Sequence, residues 1–173
     1  MQRTRDDPIP FTLIPFHTTE EITMTHFKAL VVALLAAFTL HAHAADGLVA
    51  VKSTHSTAET GNRLVAALQA RGLKLFARID HAAGASTIGK SLRPTEVFVF
   101  GNPQGGTPLM VCQQTTGIDL PLKALIWQDD AGQVWFGYND PAWIAGRHAA
   151  VDCPVVPNLA KALAGLAAAA TAP

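Results

Sequence analysis

The sequence predicts an α+β fold: a largely antiparallel five-stranded sheet with helices on one face, in a β-α-β4-α-like order. Three observations predict it. Short alternating or wholly apolar runs recur along the chain, they do not alternate strictly with helical stretches, and two of them are joined by a tight turn at Asp129-Asp130-Ala131-Gly132. Parallel strands need a crossover each, usually a helix, so this order favours antiparallel pairing. At 173 residues the chain suits one domain.

The elements follow in order. Leu48–Ser53 is a short strand. Ser56-Thr57-Ala58-Glu59 reads as a capping box, in which the Ser56 hydroxyl takes the Glu59 N–H and Glu59 reaches back. Leu64, Val65 and Leu68 follow at helical spacing, and Gly72 closes the helix in a left-handed conformation. Leu73–Asp80 alternates, which puts Leu73, Leu75, Ala77 and Ile79 on one strand face. His81–Ser91 reads as a loop of small residues. Thr95–Phe100 is apolar on both faces, as an interior strand requires. Gly101–Gly106 breaks it, and Thr107-Pro108 supply the cap and first residue of a short helix through Gln113.

Leu120–Gln128 and Gln133–Asn139 form the clearest hairpin. Pairing Gln128 with Gln133 puts Leu125, Trp127, Val134 and Phe136 on the core face. Ala124, Ile126, Trp135 and Gly137 then share the other face; a one-residue bulge exchanges the two sets. Pro141–His148 starts a helix, and Pro157–Ala170 is the last, with Leu159, Leu163 and Leu166 on one stripe.

Composition narrows the function. Lys and Arg number 13 and so do Asp and Glu; a balanced chain lacks the cationic excess that phosphate backbones demand, so no nucleic-acid partner is expected. A 49% hydrophobic content excludes wholesale disorder, and two cysteines exclude a cysteine-dense scaffold. Ala29–Leu40 is an apolar run behind Lys28, followed by Ala42-His43-Ala44. That is the order of a secretory signal peptide, and the run is too short to span a bilayer. Residues 24–44 are therefore expected to be a signal peptide cut after Ala44, leaving no stable membrane anchor and a periplasmic or secreted domain over 45–173. Counted from Met1, the stretch before the apolar run has the wrong charge sign, so residues 1–23 read as a spurious or disordered extension.

Several motifs occur together in the centre of the chain: Phe100-Gly101-Asn102-Pro103, Gly106-Thr107-Pro108-Leu109-Met110, Gly117-Ile118-Asp119-Leu120-Pro121-Leu122-Lys123, and the exit Tyr138-Asn139-Asp140-Pro141. With Asp80-His81-Ala82-Ala83 upstream, this set resembles the domain of unknown function 302 family. The motif-bearing core runs over about residues 78–141. The resemblance implies a small α+β fold that tends to dimerise, and it implies no established activity.

Chemistry candidates are few. Asp80, His81, Asn102, Tyr138 and Asp140 sit at chain reversals where a sheet can hold polar groups, with Trp135 and Trp143 nearby in sequence. They form the expected site for a small polar ligand in a non-enzymatic binding or interaction module; ordinary capping by Asn and Asp is the competing explanation. Cys112 and Cys153 form an even pair that an oxidising compartment would bridge. If they stay reduced, Cys112 with His81 gives an alternative redox, metal or enzymatic reading. His55, His81 and His148 lack metal-motif spacing, and no Walker or nucleophile-elbow motif occurs, so no metal, cofactor or catalytic residue is assigned. A third possibility is a purely structural homodimer partner, with Ala124, Ile126 and Trp135 as the docking face.

Overall fold

The computed structural model describes residues 46–173; the expected leader, with Ala29–Leu40 and the Ala42-His43-Ala44 site, lies outside the described residues. The elements are β1 (Leu48–Lys52), α1 (Thr57–Ala70), β2 (Lys74–Asp80), α2 (His81–Ser86), β3 (Thr95–Gly101), α3 (Pro103–Cys112), a 3-10 turn (Gln114–Ile118), β4 (Leu122–Gln128), β5 (Val134–Asn139), α4 (Pro141–Arg147) and α5 (Val156–Thr171). The strands form one sheet in the order β1-β5-β4-β3-β2, every pair antiparallel. This is the α+β class that the residue patterns predict.

α1 and α5 lie on one face of this sheet. Leu64 and Leu68 of α1, with Leu163 and Leu166 of α5, are buried in one cluster with Phe98, Phe100, Ile126 and Phe136. Ser56 caps α1 by accepting the Glu59 N–H at 3.2 Å, and Gly72 follows its end at φ 64°. Gly61 sets how closely α1 approaches the sheet, because a Cβ there would stand 2.8 Å from the Phe98 ring. A second cluster holds Leu109, Ile144, Ala145, Cys153, Val156 and Leu159, joining α3 and α4 to the start of α5. The Cys112–Cys153 disulfide, with Cα atoms 5.9 Å apart, ties that corner together.

The hairpin register differs from the expected one. Gln128 pairs with Val134 and Trp127 with Trp135. One Asp129 oxygen accepts the Ala131 and Gln133 N–H groups at 3.0 and 2.9 Å, and the other accepts the Trp135 indole N–H at 2.7 Å. This side-chain turn takes Gln133 into the loop, which exchanges the faces. Ala124, Ile126, Val134, Phe136 and Tyr138 are buried beneath the helices. Leu125, Trp127, Trp135 and Gly137 form the opposite face, where the two indoles stack with centroids 6.2 Å apart.

The Trp135 hydrogen bond, joined by those from Gln133 and Ala131, holds the Asp129 carboxyl below its ordinary range against an opposing desolvation. A depressed carboxylate stabilises the fold above its unfolded value, about 3.9, and loses that contribution as pH falls through the lower folded value. Asp129→Asn is therefore expected to flatten the fall in melting temperature below about pH 4. Parallel curves for wild type and variant would contradict it.

Three further elements depart from the residue patterns. A bulge between Leu75 and Ala77 sets Leu75 opposite Phe100 while Ala77 and Ile79 pair with Val99 and Val97; Leu75 and Ile79 therefore lie on different faces. The segment after Asp80 is not wholly loop, because Asp80 caps a short helix by accepting the Ala83 N–H at 2.9 Å. α3 begins at Pro103 with Asn102 as its cap, five residues ahead of the expected proline, and Pro108 lies inside the helix.

Candidate functional site

The antiparallel registers sort the site candidates between the two ends of the sheet. Gly101, Leu122 and Asn139 are at one end; Asp80, Glu96 and Gln128 are at the other. Asp80 and His81 therefore lie at the far end from Asn102, Tyr138 and Asp140, and β2 is separated from β5 by two strands. The five candidates do not converge into one site.

Each has a local explanation instead. Asp140 caps α4 by accepting the Ala142 N–H at 2.9 Å, and Asp80 caps α2. His81 is the exposed first residue of α2. Tyr138 is buried beside Phe136, ring edge to face, and burial, reinforced by the Asp140 charge, pushes its phenol up. Trp135 is spent on Asp129, and Trp143 packs against Gly47. Cys112 is in the disulfide and offers no thiol to His81, so the Cys112–His81 alternative has no nucleophile. Near Asp80 lies a small cleft of about 350 Å³. It also contains the Arg78 guanidinium, which the Glu96 hydrogen bond holds in its charged form.

Asn102 is the candidate that leads to a larger site. β3 ends at Gly101, and the Asn102 side chain accepts the Gly105 N–H at 2.8 Å, starting α3 at the sheet's end. Gly105 lets α3 pack on α5, since a Cβ there would lie 3.3 Å from Asn102 Oδ1 and 3.5 Å from Leu159. Gly106 faces Leu120 and Gly117 faces Met110 in the same way. The Leu120-Pro121 peptide, which is cis, brings the chain back into β4.

These parts enclose a cleft of about 670 Å³. Its floor is Phe100, Leu122 and Gly101–Gly106, where β3 passes into the first turn of α3. One wall is Leu159, Ala162, Leu163 and Leu166 of α5. The other side is Leu73 and Phe76, with Met110, Gly117 and Leu120 closing the inner end. Its polar groups are Asn102, Gln104, Thr107 and Asn158, and none of its lining residues is charged. The volume falls within the roughly 300–1,000 Å³ of small-molecule sites, and an apolar lining with a few polar groups is their usual chemistry.

Residue reasoning named only Asn102 of this site. The signal was present in the motif set: Phe100–Pro103, Gly106-Thr107, Met110, Gly117 and Leu120–Leu122 all line the cleft. The α5 wall was legible as a leucine stripe but reads as plain core.

Comparison with known proteins places the chain among relatives. The family model described as Domain of unknown function DUF302 matches residues 49–166. A crystal structure of an uncharacterized conserved DUF302 protein from Bacillus stearothermophilus superposes with a TM-score of 0.65 at 20% identity, covering 73% of this chain and 99% of that one. A protein named Fluoride-specific ion channel FluC 1 from Brucella suis biovar 1 (strain 1330) is 52% identical over 103 residues, covering 60% of this chain and 41% of that protein. The FluC 1 protein of Brucella abortus biovar 1 (strain 9-941) matches equally, over 38% of its length. The chain thus spans about two fifths of these curated relatives.

Proposed function

We propose that this chain, which belongs to the DUF302 family, is a binding module that takes a small, largely apolar ligand in the cleft between α3, α5 and the Gly101 end of the sheet. The observation that carries this is the uncharged cleft of about 670 Å³, lined by the residues that mark the family resemblance. The ligand class moves from polar to apolar with the site. Burying a charged ligand there would strand a charge that no lining residue can pair. Ala162 stands on the exposed rim of the α5 wall. Ala162→Trp should fill the cleft, leave the melting temperature nearly unchanged, and weaken binding of the neutral probe N-phenyl-1-naphthylamine at least about tenfold. Unaltered probe binding in the variant would overturn the site.

The Cys112–Cys153 bridge supports a periplasmic or secreted setting, since such bonds persist in oxidising compartments. Expression from Met24 should yield a periplasmic chain beginning at Ala45; recovery of a chain beginning upstream of Lys28 would contradict this.

A second copy of the chain is the partner we propose for the open sheet face. That face carries Val97, Val99, Leu125, Trp127 and Trp135, which neither α1 nor α5 covers, and Ile79 there is 45% exposed. The docking residues thus differ from those expected, because Ala124 and Ile126 are buried. Trp135 also holds Asp129, so Leu125→Glu is the cleaner variant. Wild type is expected to sediment as a dimer and Leu125→Glu as a monomer; a wild-type monomer at high micromolar concentration would contradict the proposal.

The 52% identity to part of the FluC proteins favours one further role, that of a domain accompanying a fluoride channel. Among the described residues no helix is long and apolar enough to cross a membrane. Deleting the matched segment from the Brucella suis relative should leave fluoride conduction intact. Its loss would show that the shared segment belongs to the conducting unit.

A further inference from the structure

Resting on the reading of the cleft as a ligand site, we propose that its ligand is a single-chain amphiphile with an anionic head, the head held at Lys74 and the chain lying along the α5 wall. The bulge in β2 is the device that builds the mouth. It inserts Phe76 between Leu75 and Ala77, and Phe76 lines the cleft while 49% of its surface stays exposed. Bulges commonly re-aim a side chain beside a functional site. Lys74 Nζ lies over the Phe76 ring, 5.2 Å from its centre, so a cation stands where the apolar lining meets solvent. Lys74 also pairs with Gly101, a lining residue, at the cleft end of the sheet; that register position starts it on the open face with Val97 and Val99, and because β2 is an edge strand its Nζ reaches the Phe76 ring round that edge.

The neighbouring cation is committed elsewhere. Arg71 donates to the carbonyl oxygens of Ala162 and Gly165 at 3.2 and 2.8 Å, stapling the end of α1 to α5. Lys123 is committed too, to the Asp119 and Pro121 carbonyl oxygens at 3.0 Å each, and Lys74 is the cation set against a lining side chain, Phe76. No carboxylate lines the cleft to repel an anion. The interior cannot hold a charge, because desolvating an unpaired ion is costly. An anion must therefore stay at the rim with its alkyl chain inside. A neutral hydrocarbon would gain nothing from Lys74, and a compact polar anion would gain nothing from the apolar walls.

The test is competition against N-phenyl-1-naphthylamine bound to the purified domain. Dodecanoate is expected to displace the probe at about tenfold lower concentration than dodecanol, the effect of one charge-assisted hydrogen bond at a partly exposed site. Octanoate should be weaker than dodecanoate by about fourfold per missing methylene. Lys74→Gln should bring dodecanoate to the level of dodecanol while leaving dodecanol and the melting temperature unchanged. Dodecyl phosphate separates the two sources of such a head: displacement tighter than by dodecanoate assigns a phosphate-headed lysolipid, and weaker displacement a fatty acid. Equal displacement by dodecanoate and dodecanol, or a preference that survives Lys74→Gln, would overturn the anionic head and leave the cleft as a site for neutral ligands. A folded wild-type protein that fails to bind the probe at all would overturn the cleft reading itself.

Discussion

Replacing Cys112 and Cys153 together by alanine is expected to lower the melting temperature by about 15 °C. The bridge closes a loop with a sequence separation of 41, and the chain-entropy relation values such a closure at about 4 kcal/mol. The loop contains the 3-10 turn, β4, β5 and α4, so the unfolded chain gains freedom over a third of the domain when the bond is removed. The consequence reaches the cleft. Cys153 precedes α5, which forms one wall, and Cys112 ends α3, which forms the inner end. Without the bridge, the second cluster of Leu109, Ile144, Val156 and Leu159 and the Asp119 contacts to Arg147 and His148 are left to hold this corner. Calorimetry with and without reductant checks this. A wild-type melting temperature insensitive to reductant, with the thiols shown to be free afterwards, would contradict it.

Phe136→Ala is expected to cost about 3–5 kcal/mol, whereas Leu125→Ala should cost far less. Phe136 is fully buried beneath α1 and α5 and packs edge to face on Tyr138. Truncation removes its transfer energy and leaves a cavity that the sheet and two helices cannot close. Leu125 is half-buried on the opposite face. The contrast also tests the register, because Ile126→Ala should then resemble Phe136→Ala, at about 2–5 kcal/mol. Denaturant unfolding at constant slope gives all three. A Leu125→Ala cost equal to that of Ile126→Ala would show that the hairpin pairs one residue away.

The hairpin shows why part of this fold could be read and part could not. Period-two alternation identifies both strands, and Asp129-Asp130-Ala131-Gly132 marks the turn between them. It cannot decide which set faces inward, because one loop residue exchanges the sets. That residue is set by a side chain, Asp129, whose oxygens hold the Ala131 and Gln133 amides and the Trp135 indole. The same blindness applies at Phe76. A strict alternation of Leu73 to Ile79 is visible in the residues, but the bulge appears only when β2 meets β3. The capping of α1 by Ser56, the Gly72 stop and the α5 leucine stripe are local, and they were legible.

The site fared differently because it depends on which strand ends meet. Asp80-His81 and Tyr138-Asn139-Asp140 are all polar chain reversals, and nothing local separates those at one end of the sheet from those at the other. The order β1-β5-β4-β3-β2 does so. The cleft's polar groups, Asn102, Gln104, Thr107 and Asn158, are few and uncharged, and its apolar residues look like core in a single chain. The cleft exists only once α3, α5 and the end of β3 come together, with α3 and α5 meeting closely at Gly105.

Amide chemical-shift mapping of the isotope-labelled domain with the neutral probe N-phenyl-1-naphthylamine tests the central claim most directly. The cleft account predicts saturable shifts at Gly101, Asn102, Gly105, Gly106, Leu122 and Asn158 through Leu166, with β1 and the Trp127–Trp135 face unmoved. Shifts confined to that tryptophan face, or none at saturating probe, would contradict it.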